Sequence, residues 1–176
     1  SHQNIVLCGH TNPDGDAIGA SLSLASSLNQ IGKNVQVLLE PYAKKYDVIP
    51  NSNLIAQKEN VREVDLFIAL DCGDKGRLQG VEEVFHRAKC TVNIDHHASN
   101  SYFGEYNYVE ENASSTSEIV FKLLQGYFPM DRDIAAGLYA GLIYDTGGFR
   151  HTSTTPFTMQ VAGELMSYDI PYTKIY

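Results

Sequence analysis

Short apolar runs alternate with longer amphipathic segments along this chain, and this alternation predicts its elements. Four runs are apolar almost throughout and are bounded by turn residues, a pattern typical of strands that are buried on both faces. They cover residues 4–9, 35–39, 66–70 and 91–94. We therefore predict four buried strands, with the polar segment 40–64 left as irregular chain that contains one short helix.

Helical spacing and end signals predict the elements between these strands. Ile18, Leu22, Ala25 and Leu28 share one face of a helix that Gly32 ends. A short helix is expected over 78–87. Three later helices begin at a capping box of Ser115 and Glu118, at Asp133 as an N-cap, and at Thr155 with Pro156 in the first helical position.

Strands that alternate with helices indicate an α/β fold, a mostly parallel β-sheet with helices on both faces. In such folds ligands bind at the carboxyl ends of the strands. His10 follows the first predicted strand, Asp71 ends the third, and Asp95-His96-His97 follows the fourth. We therefore expect these residues to share one edge of a single domain over 1–176.

Composition narrows the classes of partner. The chain has 21 acidic and 13 basic residues and a formal net charge of −8, which argues against binding long duplexes through clustered Lys and Arg. No apolar run approaches the ~18 residues of a transmembrane helix, so we expect no membrane association. Cys8, Cys72 and Cys90 form no CxxC pair and indicate reduced thiols in a cytoplasmic protein.

The loop after the first strand carries His10, Asp14 and Asp16 and opens directly into a helix. In one interpretation it is a turn with Asp16 as the N-cap. In the other it binds metal, since Asp14 and Asp16 can point to two neighbouring ions. A calcium loop is excluded because no Glu closes the twelve-residue frame.

Two further aspartates end predicted elements. Asp71 can be a turn former, a partner of Lys75 or Arg77, or a carboxylate that bridges two ions with its two oxygens. Asp145 follows the buried face of a helix and can partner the helix end. A carboxylate there meets an unfavourable dipole, so it needs a cation, which a metal would supply.

Asp95-His96-His97 is the strongest single motif. A lone His is usually structural, but two adjacent His after an Asp at a strand end favour ligation or acid-base chemistry. The whole candidate set is imidazole and carboxylate without thiolate. This set suits two divalent ions, manganese first, with magnesium or iron as alternatives, better than a structural zinc.

The segment after Asp145 offers a candidate substrate site. Gly147 and Gly148 allow close backbone approach to a phosphate, and Arg150 and His151 follow, just before a helix N-terminus that can bind anions. Arg150 can also be an ordinary surface arginine.

The four stretches at 9–16, 70–71, 94–97 and 144–148 together resemble the DHH phosphoesterase superfamily, which is named for the triplet at Asp95. The resemblance covers nearly the whole chain, with the motifs in order. It implies a Rossmann-like catalytic domain that hydrolyses phosphoesters through a hydroxide activated by two metal ions.

The resemblance also implies a role for each matching residue. One ion would be held by His10, Asp14 and Asp71, and the other by Asp16, Asp71, His96 and Asp145, with Asp71 bridging. His97 would face the scissile phosphate or leaving group, and Asp95 would orient the site from behind the ligands. Arg150 would stabilise added negative charge.

Residues 111–118, 140–150 and 154–156 resemble the bifunctional oligoribonuclease and 3′-phosphoadenosine 5′-phosphate phosphatase branch, which is RecJ-like. The implied substrates are small nucleotides or short single-stranded oligonucleotides. A C-terminal substrate-binding domain of DHHA1 type is expected but absent from this chain, and a homodimer is compatible with the sequence. The alternatives are a manganese-dependent pyrophosphatase, a cyclic-dinucleotide phosphodiesterase and a non-catalytic nucleotide sensor.

Overall fold

The computed structural model describes residues 2–175 and is built around one sheet of five parallel strands. The strands are β1 (Asn4–Cys8), β2 (Asn34–Leu38), β3 (Leu66–Leu70), β4 (Thr91–Asp95) and β5 (Tyr106–Val109). Their order in the sheet is β2-β1-β3-β4-β5. The chain runs outward from β1 to β2 and then returns to the other side of β1, so the topological switch point lies between β1 and β3.

In the described part of the chain, six α-helices connect or follow the strands. They are α1 (Gly15–Gln30), α2 (Glu82–Arg87), α3 (Thr116–Leu124), α4 (Arg132–Asp145), α5 (Pro156–Met166) and α6 (Tyr172–Ile175). The segment after β2 forms three-residue 3-10 helices at Lys44–Tyr46, Ser52–Leu54 and Lys58–Asn60, and a fourth covers Lys75–Arg77. In residues 2–175, no helix is both long and apolar enough to span a membrane.

Both faces of the sheet are covered, which confirms the predicted α/β class. Successive side chains of a strand point to opposite faces, so Leu7 of β1 packs in one core and Val6 and Cys8 in the other. The first core is the larger and holds the buried faces of α1, α3, α4 and α5. The second is closed by α2, through Val84 and Phe85.

Glycines let α1 and α4 approach closely. A Cβ atom on Gly19 would collide with the carbonyl of Gly137, and one on Gly137 would collide with the Ser23 hydroxyl. Near the end of α4, a Cβ on Gly141 would overlap the hydroxyl of Ser117. This close packing carries the C-terminal end of α4 to the edge of the sheet where β1 and β3 end.

Two predicted helix caps are wrong. Asp14, not Asp16, caps α1, because its carboxylate accepts the N–H groups of Asp16 and Ala17 at 3.0 and 3.1 Å. Asp131, not Asp133, caps α4 and accepts the N–H of Ile134 at 2.8 Å. An N-cap must be extended and must precede the helix by one residue, so an Asp inside the first turn cannot serve.

For the other two helices, the predicted N-cap residues are confirmed. Thr155 caps α5 in a full capping box with Thr158, and Pro156 is the first helical residue. Ser115 caps α3 by accepting the N–H of Glu118. The Glu118 side chain, however, is buried and accepts hydrogen bonds from the hydroxyls of Ser114 and Thr158 at 2.7 Å, so it does not return to the cap.

The structure departs from the predicted elements in two further places. The helix predicted over 78–87 is shorter, since α2 begins at Glu82. The fifth strand, β5, is not predicted from the sequence. Tyr106 and Tyr108 lie on β5 but are exposed, as is Tyr102 outside the strand, because β5 is the edge of the sheet.

Candidate metal centre

Seven acidic and histidine side chains converge at the carboxyl ends of the strands, beside the switch point. His10 and Asp14 lie in the loop after β1, and Asp16 lies in the first turn of α1. Asp71 directly follows β3, and His96 and His97 follow β4. Asp145 is the last residue of α4. Four separate segments of the chain therefore supply this cluster.

The first candidate ligand set is His10, Asp14 and Asp71. The Nε2 atom of His10 lies 3.8 Å from Oδ2 of Asp14 and 3.5 Å from Oδ2 of Asp71. The other ring nitrogen, Nδ1, lies 2.6 Å from the carbonyl of Thr11. In a neutral ring with its proton on Nδ1, that atom donates to Thr11 and the lone pair of Nε2 is left to bind a cation between the two carboxylates.

The second candidate ligand set is Asp16, His96 and Asp145, whose ligand atoms lie within 4.8 Å of one another. Nε2 of His96 is 2.9 Å from Oδ2 of Asp145. Despite that short distance, the buried Nε2 has no hydrogen bond of acceptable geometry within the described chain. This nitrogen faces the carboxylates of Asp71 and Asp145 without a well-aligned hydrogen bond, so a cation at this position fits the residues present.

Asp71 lies between the two sets. Its Oδ2 faces His10, and its Oδ1 lies 3.5 Å from Nε2 of His96. Its backbone has a left-handed φ of 55°, which costs energy for a residue with a side chain and often marks functional positions. A 3.0 Å hydrogen bond from its N–H to the carbonyl of Ile94 and one from the Thr116 hydroxyl to Oδ1 hold this conformation.

The N-terminus of α3 binds the Asp16 carboxylate. The N–H of Thr116 donates to Oδ2 at 2.7 Å, and the N–H of Ser117 donates to Oδ1 at 2.8 Å. Asp16 is fully buried, and the helix dipole stabilises its negative charge. The sequence predicts the start of this helix but not its contact with Asp16. The run of small polar residues before Glu118 is the signal that could have indicated it.

His97 is held by a second layer of polar side chains. Its Nδ1 lies 2.7 Å from Oδ1 of the buried Asp95, and 3.8 Å from Oδ1 of Asp71. The other Asp95 oxygen accepts the side-chain N–H of Asn100 at 2.7 Å. Asn100 in turn donates to Asn93 at 2.8 Å. Asn93 and Asn100 have no distinguishing signal in the sequence.

The cluster brings four carboxylates together with three imidazoles, and the carboxylates shift the pKa values of their neighbours. Burial alone would lower the pKa of His10 and His96, but the neighbouring carboxylates raise them to about 10 and about 11. Burial and the charge of Asp71 raise the pKa of Asp16 and Asp145. Burial opposes the ionisation of Asp71, yet His10 and His96 hold its pKa well below the usual value. A divalent cation would offset the negative charge of the carboxylates.

Residues 4–142 match the DHH family, N-terminal domain. The chain belongs to the DHH family. The expected resemblance is thereby confirmed, and the triplet at Asp95 to His97 lies within the matched region.

Known proteins that resemble this DHH chain differ in their functions. The bifunctional oligoribonuclease and PAP phosphatase NrnA of Thermus thermophilus is 31% identical over 174 residues, 97% of this chain and 52% of that protein. The cyclic-di-AMP phosphodiesterase GdpP of Bacillus subtilis is 32% identical over 168 residues, 83% of this chain and 25% of that protein. The chain spans about half the length of NrnA and a quarter of GdpP.

A solved structure of an exopolyphosphatase-related protein from Bacteroides fragilis is also similar. It superposes with a TM-score of 0.91 at 30% identity, over 99% of this chain and 55% of that chain. This similarity agrees with the DHH fold of the chain over its whole described length.

The predicted substrate residues of this DHH chain lie beside the cluster on the turn after α4. Gly147 and Gly148 have positive φ values of 56° and 69°. A Cβ on Gly147 would collide with the ring of His151, whose Nδ1 lies 3.0 Å from the carbonyl of Asp145. Arg150 is exposed, and its Nε donates to the carbonyl of Gly147 at 2.7 Å. Within residues 2–175, neither Arg150 nor His151 forms an ion pair with the ligand sets.

The alternative partners of Asp71 are wrong. Lys75 lies 2.9 Å from the His86 ring, and Arg77 lies 2.9 Å from Nδ1 of His10. The ion pairs of Asp71 across the described residues are with His10, His96 and His97. Its carboxylate therefore faces imidazoles rather than lysine or arginine.

Proposed function

We propose that this protein is a metal-dependent phosphoester hydrolase that acts on short oligonucleotides and on 3′-phosphoadenosine 5′-phosphate. The observation that carries this proposal is the position of Asp71, whose two oxygens face two separate histidine-containing sets. Membership of the DHH family and the similarity to NrnA support the substrate class.

Two divalent ions would be held by the two sets. His10, Asp14 and Asp71 would bind one, and Asp16, Asp71, His96 and Asp145 the other. We expect manganese first and magnesium or iron as alternatives, because the ligands are imidazoles and carboxylates without thiolate. When bound, such ions stabilise negative charge on phosphoryl oxygens and lower the pKa of water.

The remaining residues would bind the substrate and manage protons. Since Asp95 engages Nδ1 of His97, Nε2 is the nitrogen left to donate a proton or hydrogen bond to the leaving oxygen. Asp95, fixed by Asn100, would position that ring. Arg150 has guanidinium N–H groups beyond the one bound to Gly147 and would stabilise negative charge, with Gly147, Gly148 and His151 around the phosphate.

We also propose that a second, DHHA1-type domain completes the substrate site in the cytoplasmic enzyme, which can act as a homodimer. The proposal is supported by the share of NrnA that the chain spans, about half. The substrate would be a small single-stranded nucleotide rather than a long duplex, in keeping with the net charge of −8.

The Asp71→Asn variant of the full-length protein tests the centre of this proposal. Loaded with Mn²⁺, the variant should retain less than about 1% of wild-type turnover on the 5′-phosphorylated dinucleotide pApA, because a neutral amide cannot bridge two cations. Metal content should fall in parallel. The matched control is Asp133→Asn, which alters an exposed aspartate in the first turn of α4.

The same assay separates the alternatives. Near-normal turnover by Asp71→Asn contradicts the bridging role. A wild-type protein that hydrolyses pyrophosphate or cyclic di-AMP but not pApA or 3′-phosphoadenosine 5′-phosphate contradicts the proposed substrates. A wild-type protein that binds no Mn²⁺ would instead favour a nucleotide sensor.

A further inference from the structure

A cavity of about 210 Å³ adjoins the metal centre, with His10 in the wall between them. Four chain segments line it: the stretches 9–11 and 38–40 at the ends of β1 and β2, the stretch 56–59, and the stretch 77–81. Of the residues predicted to bind metal or substrate, His10 alone lines this space. We refer to it as the side cavity.

Hydrogen bonds between these segments hold the side cavity open. The N–H of Thr11 donates to the carbonyl of Arg77 at 3.1 Å. Asn12, next in the chain, donates its N–H to the Glu40 carboxylate at 2.9 Å. On the far side, the Lys58 ammonium donates to the carbonyl of Gly80 at 3.0 Å. Because each wall is tied to another, the side cavity is preformed, as small-molecule sites usually are.

The walls of the side cavity suit a flat, neutral group with polar edges. Leu39, Ala56 and Val81 provide aliphatic surface, and Gln57 and Gln79 provide amides that both donate and accept hydrogen bonds. Charges in the wall balance, with Glu40 and Glu59 against Lys58 and Arg77. A phosphate would gain no net attraction from walls whose charges cancel, whereas a nucleobase would meet aliphatic faces and amide edges.

The volume also limits the occupant. At about 210 Å³ the side cavity lies below the ~300 Å³ at which drug-sized ligand sites begin, so it has room for one ring system and not for a whole nucleotide. The sugar and phosphate of a bound nucleotide would have to lie outside it, toward His10.

Arg77 stands between the side cavity and the metal centre with unused hydrogen-bonding capacity. One of its terminal nitrogens lies 2.9 Å from Nδ1 of His10. A guanidinium has five N–H donors, and the exposed Arg77 side chain makes no other hydrogen bond within residues 2–175. Its remaining N–H groups are free to donate to the sugar or phosphate of a nucleotide whose base occupies the side cavity.

We propose that the side cavity binds one nucleobase of the substrate, while Arg77 contacts the sugar–phosphate that leads from it to the metal centre. This inference rests on the proposed function, since it takes the substrate to be a nucleotide. The base site would also explain how the enzyme discriminates nucleotides from pyrophosphate, because pyrophosphate has no base and would leave the side cavity unfilled.

The test uses the full-length protein loaded with Mn²⁺ and a variant that fills the side cavity, Ala56→Phe. The substrates are pApA, two analogues that each lack one base, and a fully abasic analogue. The wild-type kcat/KM should be about tenfold higher for pApA than for one of the two singly abasic analogues, since one or two net hydrogen bonds to a base account for a factor of about that size. Ala56→Phe should lose this preference through a higher KM for pApA.

A binding measurement provides a second readout that does not depend on turnover. Titration calorimetry with AMP should show about tenfold weaker binding to Ala56→Phe than to wild type. Gln79 is an exposed residue of the cavity wall, and Gln79→Ala should also weaken AMP binding. Agreement between the two variants would show that the weaker binding of Ala56→Phe is not caused by misfolding. The control is Ala43→Phe, which adds the same bulk to the exposed chain just after β2 and outside the cavity wall.

The outcomes separate the two proposals. If wild type hydrolyses pApA but Ala56→Phe and Gln79→Ala keep both the base preference and the AMP affinity, the side-cavity inference is overturned and the proposed function stands. If wild type hydrolyses none of the dinucleotides, the proposed function fails. AMP binding that is weakened by Ala56→Phe and Gln79→Ala but not by Ala43→Phe would still support the side cavity as a base site.

Discussion

Thr116 contacts two of the metal-facing carboxylates at once. Its N–H donates to Oδ2 of Asp16, and its hydroxyl donates to Oδ1 of Asp71 at 3.1 Å. One residue therefore sets the orientation of a carboxylate from α1 relative to one from the end of β3. Removal of such a supporting hydrogen bond commonly lowers metal affinity by about 10–100-fold.

The Thr116→Val variant tests this positioning role. Valine keeps the shape and the backbone N–H but removes the hydroxyl, so Asp71 loses one restraint on Oδ1. We expect Mn²⁺ affinity, measured by titration calorimetry, to fall about tenfold. Thr116→Ser keeps the hydroxyl and should bind Mn²⁺ like wild type. Equal affinity in both variants would show that the hydroxyl does not matter.

At the scale of elements, the approach of α4 to α1 determines the centre. Gly141 lies where a Cβ would overlap the Ser117 hydroxyl and come within 2.7 Å of Oδ1 of Asp16. The absence of a side chain here lets three elements, α1, α3 and α4, meet behind the ligands. Asp145, one turn further along α4, depends on this contact for its position.

Two glycine-to-alanine variants should have opposite effects on stability. Gly141→Ala should lower the free energy of unfolding by about 1–3 kcal/mol through overpacking, and should also weaken Mn²⁺ binding. Gly163→Ala lies on α5, where the added Cβ meets open space. It should raise the free energy of unfolding by about 0.5–1 kcal/mol, because alanine loses less conformational entropy than glycine. Urea denaturation checks both, and an unchanged midpoint for Gly141→Ala would contradict the packing argument.

At the scale of the whole molecule, the fold concentrates acidic groups at one edge of the sheet and couples metal binding to pH. The pKa values of His10 and His96, about 10 and about 11, lie above the ordinary 6.5, so both imidazoles are protonated in the metal-free protein at pH 7. Because protonation of these two imidazoles is more favourable in the folded protein, it stabilises the fold fully below about pH 6.5. This contribution to the free energy of unfolding disappears as the pH rises through 10 to 11. Ligation requires the neutral imidazole, so metal binding must displace these protons.

Mn²⁺ binding at pH 7 should therefore release up to two protons, one from each histidine. Affinity should rise with pH by roughly tenfold per unit for each proton released. Calorimetry in two buffers of different ionisation enthalpy measures the number directly. Bound Mn²⁺ should also raise the melting temperature by mass action, and Asp71→Asn should show neither effect. Proton release near zero would contradict this account of His10 and His96.

The sequence by itself determined the sheet and the composition of its edge. Continuous apolar runs specify buried parallel strands, and carboxyl ends of parallel strands share one edge, so His10, Asp71 and His96 could be placed together without coordinates. The prediction fails for β5, because an edge strand with exposed tyrosines has no continuous apolar run.

Only the tertiary structure decided how the side chains face one another. Thr116 and Asp16 are separated by 100 residues along the chain yet form a 2.7 Å hydrogen bond. The left-handed backbone of Asp71 and the arrival of Asp145 at the cluster likewise depend on packing between elements. Local patterns encode the period of a strand or helix, whereas the distance between two side chains depends on long-range packing that leaves no periodic signal.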